Sequence, residues 1–243
     1  MVLLYSIIAA LAVSLISLLG VFTLALGEKR LKNILFFFIS FSAGSLIGGA
    51  FFHLLVESLE KSPALRVFEY AIIGFIIFFI LEKILHWHHC HKKNCKEHKI
   101  LGLQNLFGDG IHNFIDGLVI VSAFSVDVKL GVTVSLSVAL HEIPQEISDF
   151  GVLLYSGFSK GKALLFNLLS AVLAVVGALA GYFLISRVDS LVQVLLPLAA
   201  GGFIYIAASD LIPEINKEKA PKRNILSFIF FLLAILMMLW LRE

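Results

Sequence analysis

The chain has 243 residues, of which 59% are hydrophobic and 15% are charged, and its mean hydropathy is +0.97. Soluble domains are about 45–50% apolar, so this composition excludes a water-soluble globular protein and predicts one surrounded by membrane lipid. The formal net charge of +2 is too small to favour nucleic acid as a partner. Two cysteines, Cys90 and Cys95, are too few for a disulfide framework.

Eight apolar segments follow one another, separated by short charged or turn-forming stretches. A helix that crosses a bilayer needs about 20 apolar residues. The segments cover residues 3–26, 33–56, 65–85, 104–126, 130–155, 161–186, 189–211 and 224–241. The first lacks the basic stretch of a signal peptide, so we expect it to be retained. The sequence predicts an all-α integral membrane protein with eight transmembrane helices, forming a single domain over residues 1–243.

The positive charges lie mainly on one side of the predicted bundle. Of the 19 lysine and arginine residues, 14 lie in or beside the first, third, fifth and seventh loops. Because positively charged loops stay in the cytoplasm, both termini are predicted to be extracytoplasmic. The loop at residues 86–103 would then be cytoplasmic. We expect a multi-pass protein of the plasma (inner) membrane, and leave open whether it forms a homodimer.

An internal repeat appears when residue 43 is aligned with residue 200 and the offset of 157 is kept for fifteen positions. The identical pairs are Ala43 and Ala200, Gly44 and Gly201, Ile47 and Ile204, Ala50 and Ala207, Leu54 and Leu211, and Glu57 and Glu214. In the predicted topology the second and seventh spans cross the membrane in opposite directions. An inverted repeat of this kind is typical of secondary transporters.

The fourth and fifth spans carry polar residues that are unusual inside a membrane. They are Asp109, His112, Asn113 and Asp116, followed by His141, Glu142, Gln145, Glu146 and Asp149. Each acid costs roughly 2.5 to 3.5 kcal/mol on insertion scales, so it needs a compensating partner. Because neither span contains Lys or Arg between residues 101 and 128 or between 130 and 158, we expect a bound cation to supply the charge.

Helical spacing places these residues in stripes, since positions three or four apart share a face. Imidazole and carboxylate ligands suit zinc, and also iron, manganese or cadmium, whereas magnesium and calcium prefer oxygen ligands. A proton relay and simple polar packing remain open as alternatives. We expect Pro144 to kink the fifth span and free the carbonyl of Leu140. Gly108, Gly110 and Gly117 should allow a neighbouring helix to approach the fourth span closely.

Residues Gly108–Gly117 read GDGIHNFIDG and His141–Glu146 read HEIPQE. Both resemble the fourth-span and fifth-span signatures of the ZIP family of zinc and iron transporters, and the resemblance covers most of the chain. It implies an eight-helix ZIP bundle with an inverted repeat and a two-metal centre, which moves Zn2+ into the cytosol by an elevator-like displacement. By motif position, the implied main site is His112, Asp116, His141 and Gln145, and the neighbouring site is Asn113, Asp116 and Glu142.

One position departs from the family pattern, because Gln145 stands where animal relatives with this motif have a second histidine. An amide is a weaker zinc ligand than imidazole, so Fe2+, Mn2+ and Cd2+ are further candidate cargo. Glu146 continues the stripe of the fifth span and is expected to be a metal residue as well. Further polar residues are candidates for the ion pathway or for support of the centre: His53, Glu57, Asp109, Asp149, Asn167, Asp210 and Glu214.

The loop at residues 86–103 concentrates five of the eight histidines and both cysteines. The candidate ligands there are His86, His88, His89, Cys90, His91, Cys95 and His98. Their spacing is not that of a zinc finger. The loop is predicted either to accept or sense metal in the cytoplasm or to be a solvated basic segment.

Two other functions use the same residues. An intramembrane zinc hydrolase would need a His-Glu-x-x-His motif on an unbroken helix, but Gln145 replaces the second histidine and Pro144 interrupts the segment. We therefore expect a protein that is not an enzyme. A metal-selective channel would use the same ligands without a conformational cycle, and the sequence does not separate it from a carrier.

Overall fold

The computed structural model describes residues 1–21, 28–86, 98–185, 187 and 190–242, and these residues form helices without any strand. In chain order they are α1 (Val2–Ser14, continued by the 3₁₀ segment Leu15–Leu19), α2 (Glu28–Gly48, the π-helical turn Gly49–Leu54, and Leu55–Lys61), α3 (Ala64–His86), α4 (His98–Val126), α5 (Val128–Tyr155), α6 (Lys160–Ala171 and Leu173–Ile185), α7 (Leu191–Ile206, the π-helical turn Ala207–Leu211, and Ile212–Asn216) and α8 (Pro221–Arg242). The prediction of an all-α protein is confirmed.

Six helices of the described chain are long and apolar enough to cross a membrane, namely α1, α2, α3, α6, α7 and α8. The other two, α4 and α5, have 29 and 28 residues. They are long enough to span, but their acids lower their hydropathy. The count of eight spans and the side of the termini stay predictions.

Three helix ends differ from the predicted boundaries. Helix α2 continues to Lys61 and α7 to Asn216, so each extends about one turn or more beyond its apolar run. Helix α4 begins at His98, and the prediction of a loop over residues 98–103 is therefore wrong. The apolar residues Ile100, Leu101 and Leu103 extend the helical segment toward its N-terminus. Residues 87–97 of the predicted loop lie outside the described residues.

The internal repeat extends beyond the fifteen positions seen in the sequence. The offset of 157 carries the π-helical turn Gly49–Leu54 onto residues 206–211, where α7 has its own π-helical turn, Ala207–Leu211. It also relates the end of α1 at Ser14 to the end of the first part of α6 at Ala171. The start of α3 at Ala64 corresponds in the same way to the start of α8 at Pro221. Helices α1–α3 and α6–α8 are therefore matching three-helix units.

The packing follows the same symmetry. In α2 and in α7, 56% of the span is buried, against 17% in each of α3 and α8, so the first pair lies inside and the second faces lipid. Helix α8 packs along α2 and α3 along α7. A Cβ on Gly44 would lie 2.2 Å from the carbonyl oxygen of Phe231, and a Cβ on Gly201 would lie 1.9 Å from that of Ala71. These two glycines, related by the repeat, let each pair of helices touch through their backbones.

Helices α4 and α5 form a hairpin between the two units. Its turn is closed by Asp127, whose carboxylate accepts a hydrogen bond of 2.9 Å from the amide of Leu130 at the start of α5. Helix α4 packs closely against α6, where a Cβ on Gly117 would lie 1.9 Å from the carbonyl oxygen of Ala174. The expected close approach at Gly117 is therefore present in the structure.

Helix α5 is continuous from Val128 to Tyr155 although Pro144 lies inside it. Proline cannot donate to the carbonyl four residues earlier, which is that of Leu140. The hydroxyl of Ser42 in α2 donates to this carbonyl oxygen at 2.5 Å. The freed carbonyl is thus paired by a neighbouring helix.

Candidate metal centre

Four side chains converge where α4 and α5 face each other. Helix α4 supplies His112 and Asp116, one turn apart, and α5 supplies the adjacent residues His141 and Glu142. His112 Nε2 lies 3.1 Å from His141 Nε2, 3.6 Å from Asp116 Oδ2 and 3.4 Å from Glu142 Oε1. His141 Nε2 lies 3.5 Å from the same Asp116 oxygen and 3.6 Å from the same Glu142 oxygen. We call these residues the four-residue group.

Five of the six distances between the ligand atoms of the four-residue group lie between 3.1 and 3.6 Å, close to the edges of a tetrahedron of metal ligands. A regular tetrahedron with edges between 3.1 and 3.6 Å places its centre about 1.9 to 2.2 Å from each corner. Zinc is typically about 2.0–2.2 Å from histidine nitrogen and carboxylate oxygen. Two nitrogens and two oxygens at these separations, all within 4.8 Å of one another, form a group able to hold one zinc ion.

The ring of His141 is held in place from its far side. Its Nδ1 atom lies 3.1 Å from the carbonyl oxygen of Ser137, one turn earlier in α5. A hydrogen bond there leaves Nε2 free to bind metal, the arrangement usual for zinc-binding histidines. Phe78 of α3 packs edge-on against His112, and Phe203 of α7 packs in the same way against His141. Sequence reasoning missed these supports, because they depend on a backbone carbonyl and on apolar residues in other helices.

A second group of carboxylates lies next to the first. Ligand atoms of Asp109, Glu142 and Glu146, all buried, lie within 4.8 Å of one another. The amide of Asn113 donates to Asp109 Oδ1 at 3.0 Å, and that of Asn167 donates to Glu146 Oε2 at 2.6 Å. We call these three carboxylates the adjoining group. Glu142 belongs to both groups.

Several buried oxygen atoms in the two groups and in the asparagines bonded to them accept no hydrogen bond within the described chain. They are Asp109 Oδ2, Asn113 Oδ1, Asp116 Oδ2, both carboxylate oxygens of Glu142, Glu146 Oε1 and Asn167 Oδ1. Unpaired buried acceptors are costly, and a set of them pointing into one region is suited to bind a cation. In the part of the chain that the structure describes, the ion pairs of the four-residue group involve only its own histidines.

Gln145 lies outside the four-residue group. Its amide donates to Asp109 Oδ1 at 3.4 Å, and it lines the same cavity as His112 and His141. Asp149, one turn beyond Gln145, accepts a hydrogen bond of 3.0 Å from Asn105. Sequence reasoning missed Asn105, although its position one turn before Asp109 on the same face of α4 was a usable signal.

A cavity of about 1070 Å³ leads from these groups to one end of the bundle. His112 and His141 lie at its inner end, while Asp210, Glu214 and Lys217 of α7 also line it. This end lies beside the odd-numbered loops that the charge distribution assigns to the cytoplasm. At its wall the hydroxyl of Tyr205 donates to the carboxylate of Glu82, and Lys217 pairs with Glu214.

The opposite side of the centre is filled by apolar side chains. Beyond Asp116, α4 continues with Ile120 and Ala123, and before His141, α5 carries Val134 and Val138, all fully buried. They belong to one hydrophobic core with residues of α2 and α7. The centre is thus open toward one end and closed by packing toward the other.

The remaining candidate residues do not join the metal groups. His53 is buried in the π-helical turn of α2, with Nε2 2.8 Å from the carbonyl oxygen of Met238 in α8. Glu57 pairs with Lys61 at 2.9 Å. The candidates at residues 87–97 lie outside the described residues, and for His86 and His98 the structure describes the helical backbone alone.

Comparison with known proteins agrees with this geometry. Residues 1–94 and 86–242 match the ZIP zinc transporter family. The chain belongs to this family. It is 30% identical to zinc transporter ZIP13 of Pongo abelii over 231 residues, which cover 87% of this chain and 67% of that protein.

Two further relatives carry zinc transporter names. Zinc transporter zipt-7.1 of Caenorhabditis briggsae is 31% identical over 73% of this chain and 61% of its own length. Zinc transporter ZIP10 of Homo sapiens is 37% identical over 56% of this chain and 18% of its own length. The chain thus spans about two thirds of the first two relatives and much less of the third.

Proposed function

We propose that this chain carries Zn2+ across a membrane into the cytosol and that the ion binds between α4 and α5. The single observation that carries the proposal is the convergence of the four-residue group, whose two imidazole nitrogens and two carboxylate oxygens lie within 4.8 Å of one another. The zinc transporter names of its relatives support the same cargo. Divalent iron, manganese and cadmium accept similar ligands and are the competing ions to test.

The centre is proposed to bind two ions. Zinc would occupy the four-residue group, and a second ion would occupy the adjoining group of Asp109, Glu142 and Glu146. Glu142 would bridge the two ions, since its carboxylate belongs to both groups. Asn113 and Asn167 would fix the orientation of the carboxylates they bond. Gln145 would act on the adjoining group through Asp109.

A carrier fits the structure better than an open channel or an enzyme. The cavity reaches the centre from the α7 end, while packed apolar residues such as Ile120 and Val138 close the other side. Passage then requires a change of conformation that opens the second side. Asp210 and Glu214 would line the route by which the ion leaves. A hydrolase lacks support, because position 145 holds an amide that bonds Asp109.

Zinc uptake by the purified protein in liposomes tests the function. We expect uptake that saturates at low zinc concentration, and its loss in His112→Ala and in Asp116→Ala while both proteins still insert. Zinc, iron, manganese and cadmium supplied together would rank the cargo. Wild-type uptake in both variants would refute the assignment of the centre, and flux that never saturates would favour a channel.

A further inference from the structure

Pro144 creates a local problem at the metal centre. It follows His141 by three residues and Glu142 by two, and both belong to the four-residue group. Because proline has no amide hydrogen, the carbonyl of Leu140 lacks the donor four residues later that an α-helix normally supplies. Leu140 directly precedes His141, so an unpaired carbonyl there would loosen the turn that presents two of the four ligands.

Ser42 supplies the missing donor from a different helix. Its side chain is fully buried, and Oγ lies 2.5 Å from the carbonyl oxygen of Leu140, at the short end of the range for hydroxyl donors. The usual behaviour of a buried serine in this protein is different. The hydroxyls of Ser40 and Ser58, also in α2, bond the carbonyl four residues earlier in their own helix.

We infer that Ser42 is a positioning residue for the zinc centre: its hydroxyl replaces the hydrogen bond that Pro144 removes and holds the turn that carries His141 and Glu142. Ser42 itself contributes no atom to the four-residue group. It acts through the Leu140 carbonyl and fixes that turn of α5 against α2. The inference rests on the proposed zinc function, since it concerns the same ligands.

The first test compares Ser42→Ala, Ser42→Thr and the control Ser40→Ala. Zinc Kd is measured by equilibrium binding to the purified full chain, and KM and kcat by uptake into liposomes. For Ser42→Ala we expect Kd and KM to rise by about three- to tenfold with kcat nearly unchanged, because one hydrogen bond near the ligands is lost. Threonine keeps the hydroxyl and should restore both constants. Ser40→Ala should match the wild type, because its carbonyl partner is already paired within the helix.

The second test uses Pro144→Ala, which restores an amide that can donate to Leu140. In that background, Ser42→Ala should change zinc Kd by less than about twofold, since the carbonyl no longer depends on the serine. An equal loss in both backgrounds, or an unchanged Kd in the single variant while the wild type binds zinc, would overturn the inference alone. A wild type that binds no zinc would refute both the proposed function and this inference.

Discussion

The Nε2 atoms of His112 and His141 lie 3.1 Å apart, although the two rings come from different helices. The carbonyl of Ser137 accepts a hydrogen bond from Nδ1 of His141, which leaves a lone pair on Nε2 of that ring. Two such lone pairs repel unless a proton or a metal ion lies between them. The carboxylates of Asp116 and Glu142 surround the same point and favour a divalent cation there.

Zinc affinity should therefore weaken as the pH falls, because protons compete with zinc for both imidazoles. We expect zinc Kd to rise by more than about tenfold between roughly pH 7.5 and 5.5, because zinc binds only the unprotonated imidazole. His112→Ala removes one competing proton site, so its weaker binding should depend less steeply on pH. Equilibrium binding across this range provides the measurement, and a pH-independent Kd would show that histidine is not a ligand.

The two candidates for the fourth ligand can be separated by mutation. Glu142→Gln removes the charge at a corner of the four-residue group and should weaken zinc binding by about tenfold or more. Gln145→Ala loses only an amide that bonds Asp109 and should weaken binding by less than about threefold. Isothermal titration of both purified variants compares them directly. The reverse order of effects would restore Gln145 as the ligand.

The cavity predicts which side of the protein a reagent can reach. Ser209 lines it, whereas Ser58 in α2 is buried and bonds the carbonyl of Leu54. With Cys90 and Cys95 replaced by serine, Ser209→Cys should react with a membrane-impermeant thiol reagent applied from the cytoplasmic side. Ser58→Cys serves as the buried control and should not react. Labelling of position 209 only from the opposite side would reverse the predicted topology.

Gly117 should tolerate no side chain. A Cβ there would lie 1.9 Å from the carbonyl oxygen of Ala174, so Gly117→Ala should separate α4 from α6 at a cost of about 1–3 kcal/mol. Alanine normally favours a helix over glycine, which makes a loss of stability informative. Gly161→Ala, where a Cβ meets no atom within 4 Å, is the matched control. The midpoint of thermal unfolding in detergent should fall for position 117 alone.

The stripes of α4 and α5 could be predicted from the sequence because helical spacing alone decides which residues share a face. The sequence does not decide whether Glu142 or Gln145 completes the ligand set, since they are three residues apart and both border that face. Which one turns toward His112 depends on how α5 is rotated against α4, and tertiary packing sets that rotation. The supporting bond of Ser42 was hidden for a related reason, because it depends on a partner in another helix.

The repeat illustrates a different limit. Sequence identity marks it most clearly between residues 43 and 57 and between residues 200 and 214, a stretch that includes Gly44 and Gly201. Elsewhere the equivalent helices face lipid or core, and apolar residues replace one another there with little effect on packing. The helix ends at Ser14 and Ala171, and the helix starts at Ala64 and Pro221, follow the same offset nonetheless. Backbone geometry thus reveals a correspondence that lipid-facing side chains conceal.

The polarity of α4 and α5 has a consequence for how the protein is made. Each buried acid, such as Asp116 or Glu142, penalises entry of an isolated helix into the bilayer by about 2.5–3.5 kcal/mol. Each helix of the two units on either side contains an apolar stretch of 18 residues with no more than two charged residues. We therefore expect the α4–α5 hairpin to leave the translocon only when α1 to α3 are already in lipid. It would be enclosed by protein once α6 packs against α4 at Gly117. The order in which the helices are synthesised suits this sequence of insertion, with the costly pair enclosed between two units that insert readily.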